Sequence, residues 1–330
     1  MTACGRDGHV TRQGRITGSG LLPLMATAFI WGWPNILIKL ISHDFDALTQ
    51  SFYRYLAASS TTTVICLIFW RRAYREGLKN LRLLLLPTVV VTAHQMTYLT
   101  GVYLTSAIAA SVTSKTSGLF VPVLSFLLFP EERAVIRSPK FLIGTALALT
   151  GVAGLVLARG GMMMGEGLTG PALLLLSAFL WSLFSVLIKP LTGRIDPRVI
   201  TGIVPLLSCI LFFPVWASVA HLGQVFEAPL RSVLIMLGSG VLVVGIGNTL
   251  YYVALKRVGA SVATNFLLCT PLVAGVLAYA ILGERLTPLQ MAFSAVLLAG
   301  CLFISRSAAG RGAGEQPALV SGRQSAVSGK

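Results

Sequence analysis

Ten apolar runs, a twelve-residue segment that occurs twice and a one-sided placement of lysine and arginine predict an all-α integral membrane protein, with ten transmembrane helices in two inverted five-helix repeats. Hydrophobic residues make up 55% of the 330 and charged residues only 11%, against about 25% charged in a soluble domain. Most of the chain is therefore solvated by lipid or by other apolar helices. The formal charge of +15 would suit a nucleic-acid binder. Here the basic residues are separated by apolar runs and form no stripe, so no nucleic-acid partner is expected.

A helix needs about 20 apolar residues to cross the hydrocarbon core. Ten such runs fall at approximately 21–42, 47–70, 83–104, 107–129, 140–158, 170–190, 199–221, 232–254, 259–281 and 288–305. Short links such as Thr105-Ser106 make neighbours antiparallel. Residues 1–20 lack the apolar core of a signal peptide and are expected to be a cytoplasmic segment. Residues 306–330 hold few large apolar side chains and are expected to be a disordered cytoplasmic tail. The five cysteines are scattered without a Cys-x-x-Cys pair, and neither a metal site nor a cofactor is expected.

With the amino terminus placed inside, 19 basic residues fall in inner segments and only Arg159, Arg231 and Arg285 in outer ones; Lys39, Arg54, Lys115 and Lys189 lie within spans. This bias predicts an even number of spans with both termini cytoplasmic.

Residues 28–39 (AFIWGWPNILIK) return 150 positions later as residues 178–189 (AFLWSLFSVLIK), with six of twelve positions identical. The repeats are residues 21–158 and 170–305, five helices each. An odd number per repeat inverts the second in the membrane. Inverted repeats are a mark of alternating-access transporters, with the substrate site near the midplane.

Several motifs resemble the drug/metabolite transporter superfamily, in its EamA-like ten-span branch. They are Trp31-Gly32-x-x-Asn35-x-x-x-Lys39 in span one, Arg54 within Phe52-Tyr53-Arg54-Tyr55-Leu56-Ala57 in span two, and Pro271, Gly283-Glu284-Arg285-Leu286-Thr287 and Gly300 in the second repeat. The first repeat carries a weaker copy, Pro122, Pro130-Glu131-Glu132-Arg133 and Gly151, with Glu131 in place of the usual glycine. The resemblance implies a small-metabolite carrier of the bacterial cytoplasmic (inner) membrane, most often an exporter. Its partners are then a small-molecule substrate and the lipid bilayer. Four-span relatives that move lipids or lipid carriers supply the alternative. Hydrolytic chemistry is not expected, because the span interiors hold one histidine, His94, and no carboxylate pair.

Polar groups in hydrocarbon are costly and mark functional candidates. Lys115 lies roughly 12 Å down span four at 1.5 Å per residue, in a run of small and hydroxylated residues. It either binds a carboxylate or phosphate of the cargo or holds helices together through carbonyls and hydroxyls. His94, Gln95 and Tyr98 in span three correspond to Asn248 and Tyr251 in span eight across the repeat, and Asn265 follows in span nine. The alternative for these is interhelical hydrogen bonding, and a lone His94 suits a packed, satisfied role. Trp31 and Trp181 recur away from the interfaces, as a cavity floor, a stacking surface or packing.

The candidate pathway residues are thus Trp31, Asn35, His94, Gln95, Tyr98, Lys115, Trp181, Asn248, Tyr251 and Asn265. Lys39 and Lys189 are placed to snorkel to headgroups, with gating or an interhelical contact as the alternative. Arg54 is expected to make a structural bond from span two. Pro122 and Pro271, aligned between the repeats, are expected bending points. The cargo expected is a carboxylate or zwitterion, lined by spans one, three, four, six, eight and nine. No carboxylate falls well inside a span.

Overall fold

A computed structural model describes residues 18–105, 110, 114–157, 169–219, 223–270, 272–273 and 288–309. Every regular element among them is helical. Long helices are α1 (Gly18–Ile30), continued after a break by α2 (Pro34–Leu40), α3 (Ala47–Phe69), α5 (Leu81–Tyr103), α6 (Ser117–Leu128), α8 (Pro139–Leu157), α9 (Thr169–Ile188), α10 (Pro197–Val219), α12 (Leu230–Ser239), continued by α13 (Asn248–Val258), α14 (Ala260–Phe266) and α15 (Pro288–Ala309). Shorter helices are α4 (Arg71–Lys79), α7 (Pro130–Ile136) and α11 (Gln224–Glu227).

Among the described residues, six helical stretches are long and apolar enough to cross a membrane: 21–40, 47–69, 81–103, 169–193, 197–218 and 230–258. The other four expected spans run over residues outside those described or contain shorter apolar helices, as at Ser114–Leu128 and Ala260–Cys269. The stretch 71–82, an inner segment between the second and third expected spans, contains α4. Its Tyr74 and Gly77 are buried, three residues apart on one helix face, while its charges face outward.

The polarity of the fold is reversed relative to a soluble protein. Leu22, Ile68, Phe69, Leu86 and Ile210 are exposed, whereas Thr27, Gln50, Ser59, Thr92 and Gln95 are buried. Lipid offers no hydrogen bonds, so polar groups turn inward and find partners on neighbouring helices. Thr92 Oγ1 donates to Ser208 Oγ at 3.0 Å, and Trp216 Nε1 donates to Thr49 Oγ1 at 3.1 Å. Each such bond contributes about 0.6 kcal/mol on average. Close backbone approach supplies the rest. A Cβ on Gly300 would lie 2.5 Å from Ala148 N, and one on Gly144 2.9 Å from Gly300 O, so α8 and α15 cross at small residues.

Candidate functional site

Four irregular segments of the helical stretches converge. Residues 31–33 break the first stretch, and Pro34 restarts it as the first residue of α2, where its missing N–H costs nothing. A 3₁₀ turn, Ser114–Thr116, precedes α6. Between α12 and α13 lies a π-helical segment, Gly240–Gly247, and α14 runs into a 3₁₀ turn at Leu267–Cys269. Irregular backbone at membrane depth is tolerated where it is buried in protein or lines a cavity, and π segments are frequent at functional sites. Each of these segments lines one cavity of about 150 Å³.

The wall is built from both ends of the chain. Trp31, Pro34 and Asn35 come from the first break, Gln95 and Tyr98 from α5, Ser114 and Lys115 from the 3₁₀ turn, Trp181 from α9 and Asn248 from α13. Tyr98 donates its hydroxyl to Asn35 Oδ1 at 2.6 Å. The two repeated tryptophans meet edge to face at 5.3 Å, and Tyr251 packs 5.1 Å from Trp31 and 5.4 Å from Trp181. Gly247 makes room for this contact, since a Cβ there would come 2.6 Å from Trp31 Nε1.

Of the sequence-predicted residues, Trp31, Asn35, Gln95, Tyr98, Lys115, Trp181 and Asn248 line the cavity. His94, Tyr251 and Asn265 stand behind that wall, and each has a partner of its own. His94 Nδ1 lies 2.9 Å from the Ser177 carbonyl and 3.0 Å from its hydroxyl, with the ring packed against Tyr98 and Trp181. The Tyr251 hydroxyl donates to Ser185 Oγ at 3.0 Å, and Asn265 Nδ2 donates to Thr145 Oγ1 at 2.9 Å. His94 and Tyr251 brace helices; Asn265 does so through Nδ2, while its Oδ1 has no partner among the described residues. Lys39 closes the last turn of α2, outside the cavity wall, and Pro122 is buried within α6. Pro271 lies outside the described residues.

Arg54 corrects the expectation of a structural bond. It is 2% exposed and lines the cavity with its neighbour Tyr55, yet its Nε and Nη1 have no hydrogen-bond partner among the described residues. Gly240 of the π segment sits directly on the Arg54 backbone, so the helix irregularity and the buried guanidinium come together. The sequence signal was the intramembrane charge itself.

Lys189 takes the interhelical contact, the second of its two expected roles. Instead of reaching a headgroup it is buried and pairs with Glu132 at 2.7 Å and Glu131 at 3.1 Å, with its ammonium 3.6 Å from the Phe129 ring centroid. Glu132 also accepts the Ala260 amide at 2.9 Å, the Ser261 amide at 3.1 Å and the Ser261 hydroxyl. It caps α14 where an anion is favoured. Gly259 has φ +86, and a Cβ there would lie 2.8 Å from Glu132 Oε1. Glycine is required at this position on both counts.

The family model described as the EamA-like transporter family matches residues 18–157 and 168–306. An uncharacterized transporter of Methanothermobacter thermautotrophicus is 26% identical over 325 residues, 92% of this chain and 90% of its own length. One from Haemophilus influenzae is 21% identical over 282 residues, 82% of this chain and 91% of its own. A solved crystal structure, 16% identical, covers 88% of this chain and 98% of its own with a TM-score of 0.74, which speaks to the fold alone.

Proposed function

The chain belongs to the EamA-like transporter family, and on that premise we propose that it exports a small polar metabolite bearing a carboxylate, amino-acid-like or otherwise, by alternating access. It is a multi-pass membrane protein. In this reading ten spans form two inverted five-helix repeats in a bacterial cytoplasmic membrane, with both termini inside. No catalytic step is assigned to it.

The observation that carries the proposal is the cavity at the helix breaks. Broken helices place backbone and side-chain donors at membrane depth, the arrangement by which transporters hold substrate between repeats. Here both repeats contribute a tryptophan from the same register, Trp31 and Trp181, and Lys115 supplies a cation for a carboxylate. Alternating access follows if one repeat rocks against the other around this wall. The lining then serves as the substrate pathway, with Asn35, Gln95, Tyr98 and Asn248 orienting the cargo through hydrogen bonds.

The test is uptake of a mixed labelled metabolite pool into proteoliposomes, with and without a pH gradient. Selective, saturable accumulation of a carboxylate-bearing component is expected. Folded protein that accumulates nothing would contradict the reading and favour a lipid substrate.

A further inference from the structure

We infer that the cargo is a small organic anion without an ammonium group, its negative charge held by Arg54 together with Lys115. This rests on the carrier reading and narrows it, since that reading admits zwitterions. Among the described residues, the cavity wall contains two cationic side chains, Arg54 and Lys115, and no aspartate or glutamate. Among the described residues, no ion pair joins either cation to a carboxylate.

The unsatisfied groups on the wall point the same way. Buried polar atoms there without a partner are Trp31 Nε1, Arg54 Nε, Arg54 Nη1 and Thr270 Oγ1. The first three can only donate hydrogen bonds, and the fourth can do so. A buried charged donor left unpaired is strongly unfavourable. It persists in a native fold where something else completes it, and a carboxylate or phosphate oxygen is the complementary acceptor for a guanidinium.

An ammonium group would meet the opposite situation. It would enter a low-dielectric space that already holds two positive charges and no negative side chain. Asn35 Oδ1, a neutral acceptor on the wall, already receives the Tyr98 hydroxyl. The carbon skeleton has its own surface in the Trp31 and Trp181 rings. A volume of about 150 Å³ matches the size of cavity that accepts benzene, which suits a skeleton of one ring or a short chain.

The test uses probes matched in skeleton and differing in charge: phenylacetate, phenylglycine and benzylamine, with succinate and aspartate as the aliphatic pair. Binding to purified full-length protein in detergent is read by tryptophan quenching and by the ligand-induced rise in Tm. Phenylacetate or succinate should bind at least tenfold more tightly than its ammonium-bearing counterpart, and benzylamine should not bind. Arg54→Gln should lose at least tenfold in anion affinity without a fall in ligand-free Tm, and Arg54→Lys should recover part of it. A fall in ligand-free Tm with the charge preference intact would make Arg54 structural and overturn its assignment. Tighter binding of phenylglycine or aspartate would overturn the inference and leave the carrier reading standing. If none of the five binds, the pool component taken up by proteoliposomes decides. An anion upholds the inference, a component with an ammonium overturns it, and no uptake removes both readings.

Discussion

Arg54 and Lys189 are both buried cations, 2% and 8% exposed, yet Lys189 holds two carboxylates and Arg54, among the described residues, holds none. Lys189 ties the end of α9 to α7 and, through Glu132, to the first residues of α14. Its charge is neutralised locally, and both carboxylate oxygens of Glu132 are hydrogen-bonded. Arg54 lies among aromatic and small residues beside a cavity, with donors left open. A buried charge that completes its own network serves the fold, and one that leaves donors open beside a cavity is available to a ligand.

The comparison is broken most directly at the paired site. Lys189→Ala leaves Glu132 buried without its counter-charge, and a loss of about 3–5 kcal/mol is expected for breaking a buried pair from one side. It should be seen as a fall in Tm of the detergent-solubilised protein. Replacing both partners, as Lys189→Met with Glu132→Gln, should recover most of that loss. A single substitution that leaves Tm unchanged would show that the pair does not hold these helices.

A smaller effect is expected at Gly259. Alanine there must take φ +86 and crowd the Glu132 carboxylate, at a cost of about 1–3 kcal/mol, measurable by the same thermal scan. A result near zero would mean that Glu132 is free to withdraw from α14.

The pH dependence sharpens the same contrast. Burial alone would raise the Glu132 carboxyl. The charge of Lys189 outweighs it together with hydrogen bonds from Lys189, Ser261 and Ala260, and the carboxyl is held below its usual range. A carboxylate lowered in the folded state stabilises above its unfolded value, about 4.3, and that contribution is lost as pH falls through the lower folded value. The wild type should therefore lose more Tm than the double replacement below about pH 4. Parallel curves would contradict the shift. The smallest effect belongs to the exposed pair Arg72–Glu76, 3.3 Å apart with side chains 95% and 61% exposed. Arg72→Ala should leave Tm unchanged within error.

The one-dimensional signals were enough for some of this. Trp31 and Trp181 were legible because a repeat reports equivalence without any knowledge of contacts, and the two rings do meet. Lys115 stood out in sequence as a charge within an apolar span, and it lines the cavity. The distinction between lining and bracing was not legible. A polar residue in a span can face a cavity or a neighbouring helix, and His94 and Gln95 are adjacent in sequence but only Gln95 reaches the wall. Pairing was equally hidden. The acids that neutralise Lys189 lie 57 and 58 positions away and are brought to it by tertiary packing, while no carboxylate among the described residues reaches Arg54. Helix α4 was readable from Tyr74 and Gly77, but its charges placed the segment between the spans. The π segment leaves no trace in composition, because apolar residues and glycines also suit a regular span.

The most direct test of the account is uptake per folded protein in proteoliposomes containing Lys115→Ala, measured beside wild type with the same labelled pool. The cavity reading predicts that the variant retains its Tm and loses accumulation. Wild-type uptake by Lys115→Ala would contradict it and would move the substrate away from this wall.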